Sequence, residues 1–248
     1  MSDVLEPTAL RAALIALLNR SQAHEEAFRG EFSEAEREQV GTADNWAPKE
    51  VIAHLAYWKN RQSARVEAMA RGEEAPESED WGMVNTETWP EHAHLTWDES
   101  VKRSDDATGR LIAAVRALPE SALTNPDDQE SEANLLFATT MGNSIGHVAE
   151  HMANHYRSLG QTDRAMQVQQ EVVQAIVDAH LGASAEGGAR YNLACYYALH
   201  GQPDDAISEL RDALAKRPDL IPWARQDHDL DSLREDAAFQ ALVPPEDK

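Results

Sequence analysis

The chain has 248 residues, room for one large domain or two modest ones, and 42% of them are hydrophobic and 27% charged, which argues against wholesale disorder. Against 44 Asp and Glu stand only 22 Lys and Arg, a formal net charge of −22. Such a surface repels phosphate backbones and anionic lipid, so neither nucleic acid nor a membrane surface is expected as a partner.

In chain order the elements read as helices, because no alternating Val, Ile, Thr or aromatic run of useful length occurs. Thr8 is placed to cap a first helix carrying Leu10, Leu14, Leu17 and Leu18 on one stripe. Its apolar stretch, Ala13 to Leu18, is short and bracketed by Arg11 and Arg20, the pattern of an amphipathic helix and not of a signal peptide. Pro48 suits the first turn of a second helix with Val51, Leu55 and Trp58 on one face. Residues 71 to 90, rich in Gly, Glu, Pro and Ser, read as a long connection interrupted by Trp81 and Trp89. Thr96 and Glu99 have the spacing of a capping box before a third helix with Leu111, Val115 and Leu118. Pro119 to Glu130 is a turn-rich acidic link, and a fourth helix is predicted from about Glu132 to Leu159. Four amphipathic helices with one long crossover predict a four-helix bundle over roughly residues 7–160.

The remainder repeats. Gly160-Gln161-Thr162-Asp163-Arg164-Ala165 is echoed by Gly201-Gln202-Pro203-Asp204-Asp205-Ala206, and the same shift superposes Met152-Ala153 on Leu193-Ala194 and Tyr156 on Tyr197. Such a period marks stacked helical hairpins. The second copy resembles a tetratricopeptide repeat through Leu193, Ala194, Tyr197, Ala206, Leu210 and Pro218, with Arg190 where that family usually has Trp. Pro222 to Val243, with Trp223, Leu230, Leu233 and Phe239, reads as a terminal cap. The first helix of the first copy is the last helix of the bundle. The expected organisation is a bundle over residues 1–160 and a repeat segment over 161–248, joined through one shared helix.

His147 and His151 lie four apart, one turn along a single helix face, which suits two ligands of one divalent ion. His54 sits mid-helix on or near the apolar face of the second helix and can complete a three-histidine set. A core histidine at 54 and a solvated or hydrogen-bonded pair at 147 and 151 are the structural alternatives. His155 reads as a packing residue beside Tyr156, although a register of His151 with His155 stays open. His92 and His94 are placed in a loop, with little expected of them as ligands. Trp46, Trp58 and Trp81 are either bundle core or walls of a substrate pocket. Cys195, the single cysteine, rules out an intrachain disulfide, fits a reducing cytoplasm, and shows no His or Asp partner in the sequence. Gly187-Gly188-Ala189 reads as a loop, and Asp227-His228-Asp229 as a solvated loop before the cap.

The segment Asn45-Trp46-Ala47-Pro48-Lys49-Glu50-Val51-Ile52-Ala53-His54-Leu55-Ala56-Tyr57-Trp58 resembles the second-helix signature of the DinB/YfiT-like four-helix bundles. Gly72 with its acidic loop, Trp81 and Asn85, and Leu118-Pro119-Glu120 with Leu123 bring it nearest the ClbS/DfsB-like branch. The resemblance implies a divalent metal ion, zinc or nickel, held by His54, His147 and His151, and a pocket walled by Trp46, Trp58, Trp81 and Asn85. It implies a metal-dependent hydrolase or thiol transferase acting on a small, electrophilic molecule, with the repeat segment free to take a protein or peptide partner. The alternative is a non-catalytic metal-binding or stress-related interaction protein that docks a partner through its repeats. A cytoplasmic location is expected, and a homodimer is left open.

Overall fold

The computed structural model describes residues 5–42, 45–76, 81–128 and 130–245. Among them there is no β-strand, only an isolated bridge between Thr42 and Asn45, and no helix is long and apolar enough to cross a membrane. The bundle is built from α1 (Pro7–Arg29), α3 (Pro48–Arg71), α5 (Trp97–Ala117) and a fourth helix in two parts, α6 (Glu132–Thr140) and α7 (His147–Ser158). Between α6 and α7 the backbone makes a π-helical turn over Met141–Gly146, so one residue more than a regular α-helix requires is carried there. The short α2 (Glu34–Arg37) and the longer α4 (Trp81–Ala93) fill the connections on either side of α3.

Local signals account for most of the ends. Pro48 occupies the first turn of α3, and Gly72 closes it in the left-handed region at φ 67°. At α5 the Thr96 hydroxyl accepts from Glu99 N–H while the Glu99 carboxylate accepts from Thr96 N–H, the reciprocal box expected there. Thr8, in contrast, is not a cap. Pro7 already starts α1, and the Thr8 hydroxyl donates to Glu120 Oε1 at 3.1 Å.

The connection expected over residues 71–90 ends early, because Trp81–Ala93 is helical despite Gly82, Thr86, Thr88 and an interior Pro90. Tertiary packing overrides those poor propensities: Val84 and His92 are buried, and the Asn85 amide oxygen accepts from Trp58 Nε1 on α3 at 3.2 Å.

After residue 160 come α8 (Thr162–Asp178), α9 (Ala183–Leu199) and α10 (Pro203–Lys216), followed by α11 (Ile221–Ala224), a 3-10 turn over His228–Leu233 and α12 (Ala237–Leu242). The sequence repeat is a repeat of geometry. Gly160 at φ 74° and Gly201 at φ 70° end α7 and α9 alike, with Gln161 N–H donating to Tyr156 O at 2.8 Å and Gln202 N–H to Tyr197 O at 3.0 Å. Gly187-Gly188-Ala189 lies inside α9, correcting the loop expected there. A Cβ on Gly187 would meet Arg217 Cγ at 2.6 Å, so glycine lets α9 and the end of α10 approach. Two apolar clusters fill the interior, and both cross residue 160. One runs from Phe28, Ile52 and Leu55 through Met152 and Tyr156 to Leu193, Leu210 and Phe239. The other joins Leu10, Leu14, Leu111 and Phe137 to Ile176 and Leu181.

Candidate metal centre

Helix α3 presents His54, Trp58 and Gln62 on one stripe, and the fourth helix presents Asn143, His147 and His151 on another. The stripes meet in antiparallel order. Asn143 Nδ2 donates to Gln62 Oε1 at 3.3 Å, and His147 Nε2 lies 3.0 Å from His54 Nε2 and 3.1 Å from His151 Nε2. The three imidazole centres are 4.8, 4.8 and 5.0 Å apart, a near-equilateral triangle of rings. His155 takes no part, its ring standing edge-on to Phe28 and Phe32 at 5.1 and 4.9 Å.

The π-turn sets this meeting. It lets α6 turn Leu136 and Phe137 into the core while His147 faces α3, and Ser21 of α1 donates to the Ser144 carbonyl within the turn at 2.9 Å. On the far side of α7, Val148 and Met152 line an apolar groove with Leu17, Arg20 and His24, away from the imidazoles.

Burial depresses all three histidines. The His54 pKa falls far below the ordinary value, chiefly by burial and then by the neighbouring rings. His147 is lowered to about 3 by burial, with His151 and Lys59 adding to it, and His151 to about 4 by burial. Three neutral rings thus aim their Nε2 atoms at one point. A single proton can bridge only one pair of those nitrogens, so lone pairs are left facing one another. That donor set suits a divalent ion, which takes neutral imidazole nitrogens at about 2.0–2.1 Å.

Aromatic rings enclose the triangle. The half-buried Trp46 ring lies 4.6 Å from His54, and Trp58 lies 6.3 Å from His54 and 6.4 Å from His147. Asn85 reaches the site through its bond to the Trp58 indole. The Trp81 side chain lies outside the described residues.

One residue that sequence reasoning passed over, and one of which it expected little, belong here. Glu50, fully buried, accepts from Gly41 and Ala47 N–H at 2.9 and 2.8 Å and from Trp89 Nε1 at 3.4 Å, fastening the loop that carries Trp46 to α3 and α4. Its place three residues after the helix cap was the available signal. His92 lies on α4 and not in a loop, 3% exposed, with its ring 6.4 Å from His54 and from Trp46. His94 stays exposed.

A buried charge network adjoins the site. Lys59, five residues after His54, pairs with Glu25 of α1, and Ser104 of α5 takes 3.0 Å and 2.6 Å bonds with Lys59 and Glu25. In the hairpins, Cys195 does have an acidic neighbour, Asp227, whose Oδ2 is 3.7 Å from Sγ and also accepts from Tyr191 OH at 2.8 Å. Burial, then Asp227, push that thiol pKa up, against a nucleophilic role. The supposed loop at His228 is the start of the 3-10 turn.

A family model described as the DinB superfamily matches residues 8–159, the stretch that holds all three histidines. No curated protein and no solved structure matches the chain. With more than half of its length matched, the chain belongs to the DinB superfamily, whose members bind metal and are often enzymes.

Proposed function

We propose that His54, His147 and His151 hold one divalent ion, zinc or nickel, and that the protein is a metal-dependent enzyme of the hydrolase or thiol-transferase kind. The observation that carries this reading is the convergence of three imidazole Nε2 atoms on one point, His54 buried and His147 and His151 half-buried. A divalent ion bound there supplies Lewis acidity, lowering the pKa of water or of a thiol. Three protein ligands leave coordination positions for a small substrate. Trp46 and Trp58 wall the centre, while Asn85 fixes the Trp58 indole. Gln62 and Asn143 continue the same two stripes and bond each other, and Gln62 also donates to Thr139 and Thr140, so this amide cluster ties α3 to the fourth helix beside the centre. No side chain is assigned as general base.

Within the superfamily the ClbS/DfsB-like branch is the nearest reading, which favours a small electrophilic substrate. The hairpins after residue 160 are read as tetratricopeptide-like, a docking segment for a protein or peptide. The test is elemental analysis of protein purified without chelator or nickel column, paired with hydrolysis and thiol-transfer screens. About one ion per chain is expected, lost in His54→Ala, His147→Ala and His151→Ala and kept in His155→Ala. Full occupancy in His54→Ala would sink the three-histidine centre. Stoichiometric metal with no turnover in either screen would favour the interaction protein.

A further inference from the structure

His54 poses a problem that the metal reading sharpens. Once Nε2 ligates an ion, its neutral ring must carry its proton on Nδ1, and that atom is buried without a hydrogen-bond partner in the protein. An unpaired buried N–H is costly, and metal-ligating histidines nearly always donate this proton to an outer partner. A second imidazole in the same pocket has the matching defect. His92 Nδ1 is also buried and unpartnered, and burial lowers the pKa of its ring, so it stays neutral. The two rings stand 6.4 Å apart at 75°. Tyr57 and Trp46 flank them, with ring centres 6.3 and 6.4 Å from His92. At that separation two ring nitrogens come no closer than about 4 Å, too far for a direct bond of about 2.7–3.2 Å, so one bridging water is the shortest link open to these two unpartnered atoms.

We propose that His92 is a positioning residue for the metal centre: His54 Nδ1–H donates to one bridging water, which in turn donates to His92 Nδ1, fixing the tautomer and rotation of that ligand. The inference rests on the three-histidine reading and adds to it a fourth imidazole that never touches the ion. Helix α4, with its interior proline, is then the element that holds this outer partner in place.

The test uses the full chain and zinc alone, with affinity measured by competition against a chromophoric chelator. His92→Phe keeps the bulk of the ring and removes the acceptor, and His92→Gln restores an acceptor oxygen. His92→Phe is expected to bind zinc about 10–100-fold more weakly, with His92→Gln recovering most of the loss. Unchanged affinity in His92→Phe, or equal weakness in both variants, overturns the proposal. In the unaltered zinc-loaded protein, nitrogen-15 spectra should show the His54 proton on Nδ1. A proton on Nε2 overturns it too. Absence of zinc binding by the unaltered chain would remove the metal centre itself, and this inference with it. Zinc binding with an indifferent His92 would remove the inference alone.

Discussion

The bundle and the hairpins bury different chemistry. Among the described residues, tyrosines and Cys195 apart, every buried polar or charged side chain except Ser184 lies before residue 160, including Glu25, Arg29, Lys59, His54, Gln62, Ser104 and Ser144. The hairpins fill their interior with Leu193, Ala194, Tyr197, Ala206, Leu210 and Ala213. Buried charges and imidazoles cost stability unless each is paired, whereas small and large apolar groups packed together return it. The bundle therefore carries reactive groups at the expense of its own packing. The hairpins close over Met152 and Tyr156 and add apolar contact where the bundle helix ends.

The largest expected effect separates the two regions. A chain ending at Gly160 exposes Met152 and Tyr156, at about 1.5–3 kcal/mol for each, so it should melt well below the intact protein or self-associate. Calorimetry and light scattering check this, and a fragment as stable as the whole chain would make the bundle self-sufficient. Next comes Lys59→Met, which leaves the buried Glu25 carboxylate with Ser104 and with Arg29 at 3.7 Å, and should cost about 3 kcal/mol, the low end for a broken buried pair. Adding Glu25→Leu should recover most of that loss in chemical denaturation. A fully additive double variant would mean that the charges do not act as a pair.

Acid should act on the bundle next. His147 and His151 stay neutral in the fold down to about 3 and about 4, whereas an unfolded histidine takes a proton near about 6.5. Below that value the unfolded chain binds more protons, so stability present at neutral pH is lost progressively as pH falls. For these two rings the loss between pH 7 and 5.5 in the metal-free protein should be about 2–3 kcal/mol. Urea titrations at the two pH values measure it, and a His147→Gln, His151→Gln protein should lose much of the difference. Bound metal competes with the same protons, so affinity should fall in the same direction. The smallest effect should be common to both regions. Gly160→Ala and Gly201→Ala each force a Cβ into the left-handed region with no neighbour within 4 Å, so each should cost about 1–2 kcal/mol. Unequal costs would show that the two matching turns are held differently.

The sequence carried the bundle because its signals are local. Pro48, the Thr96–Glu99 box and the Leu stripes each act within one or two turns, and the repeated Gly-Gln pairs specify the same helix-ending turn twice. The His147–His151 spacing was legible for the same reason, and His54 through the motif around it. What escaped depends on distant partners. Helix α4 is written in poor helix formers and is held by Trp58 and by the burial of His92, neither visible along the chain. Asp227 meets Cys195 from 32 residues away. The π-turn leaves no periodic mark, since one extra residue shifts the apolar pattern without breaking it.

That extra residue has a consequence for how the gene can change. A single residue is worth about 100° of helix rotation, so the turn acts as a phase shift between two stripes that answer to different neighbours. Leu136 and Phe137 are in phase with the leucines of α1 and α5, and His147 and His151 with His54. Deleting one codon between Phe137 and His147 would yield a more regular helix and a less workable protein, because only one stripe could keep its bearing. The stretch is thus intolerant of length change although Gly142 has open space beside it. Lineages that lack the extra residue would have to draw their histidines from a different helical register.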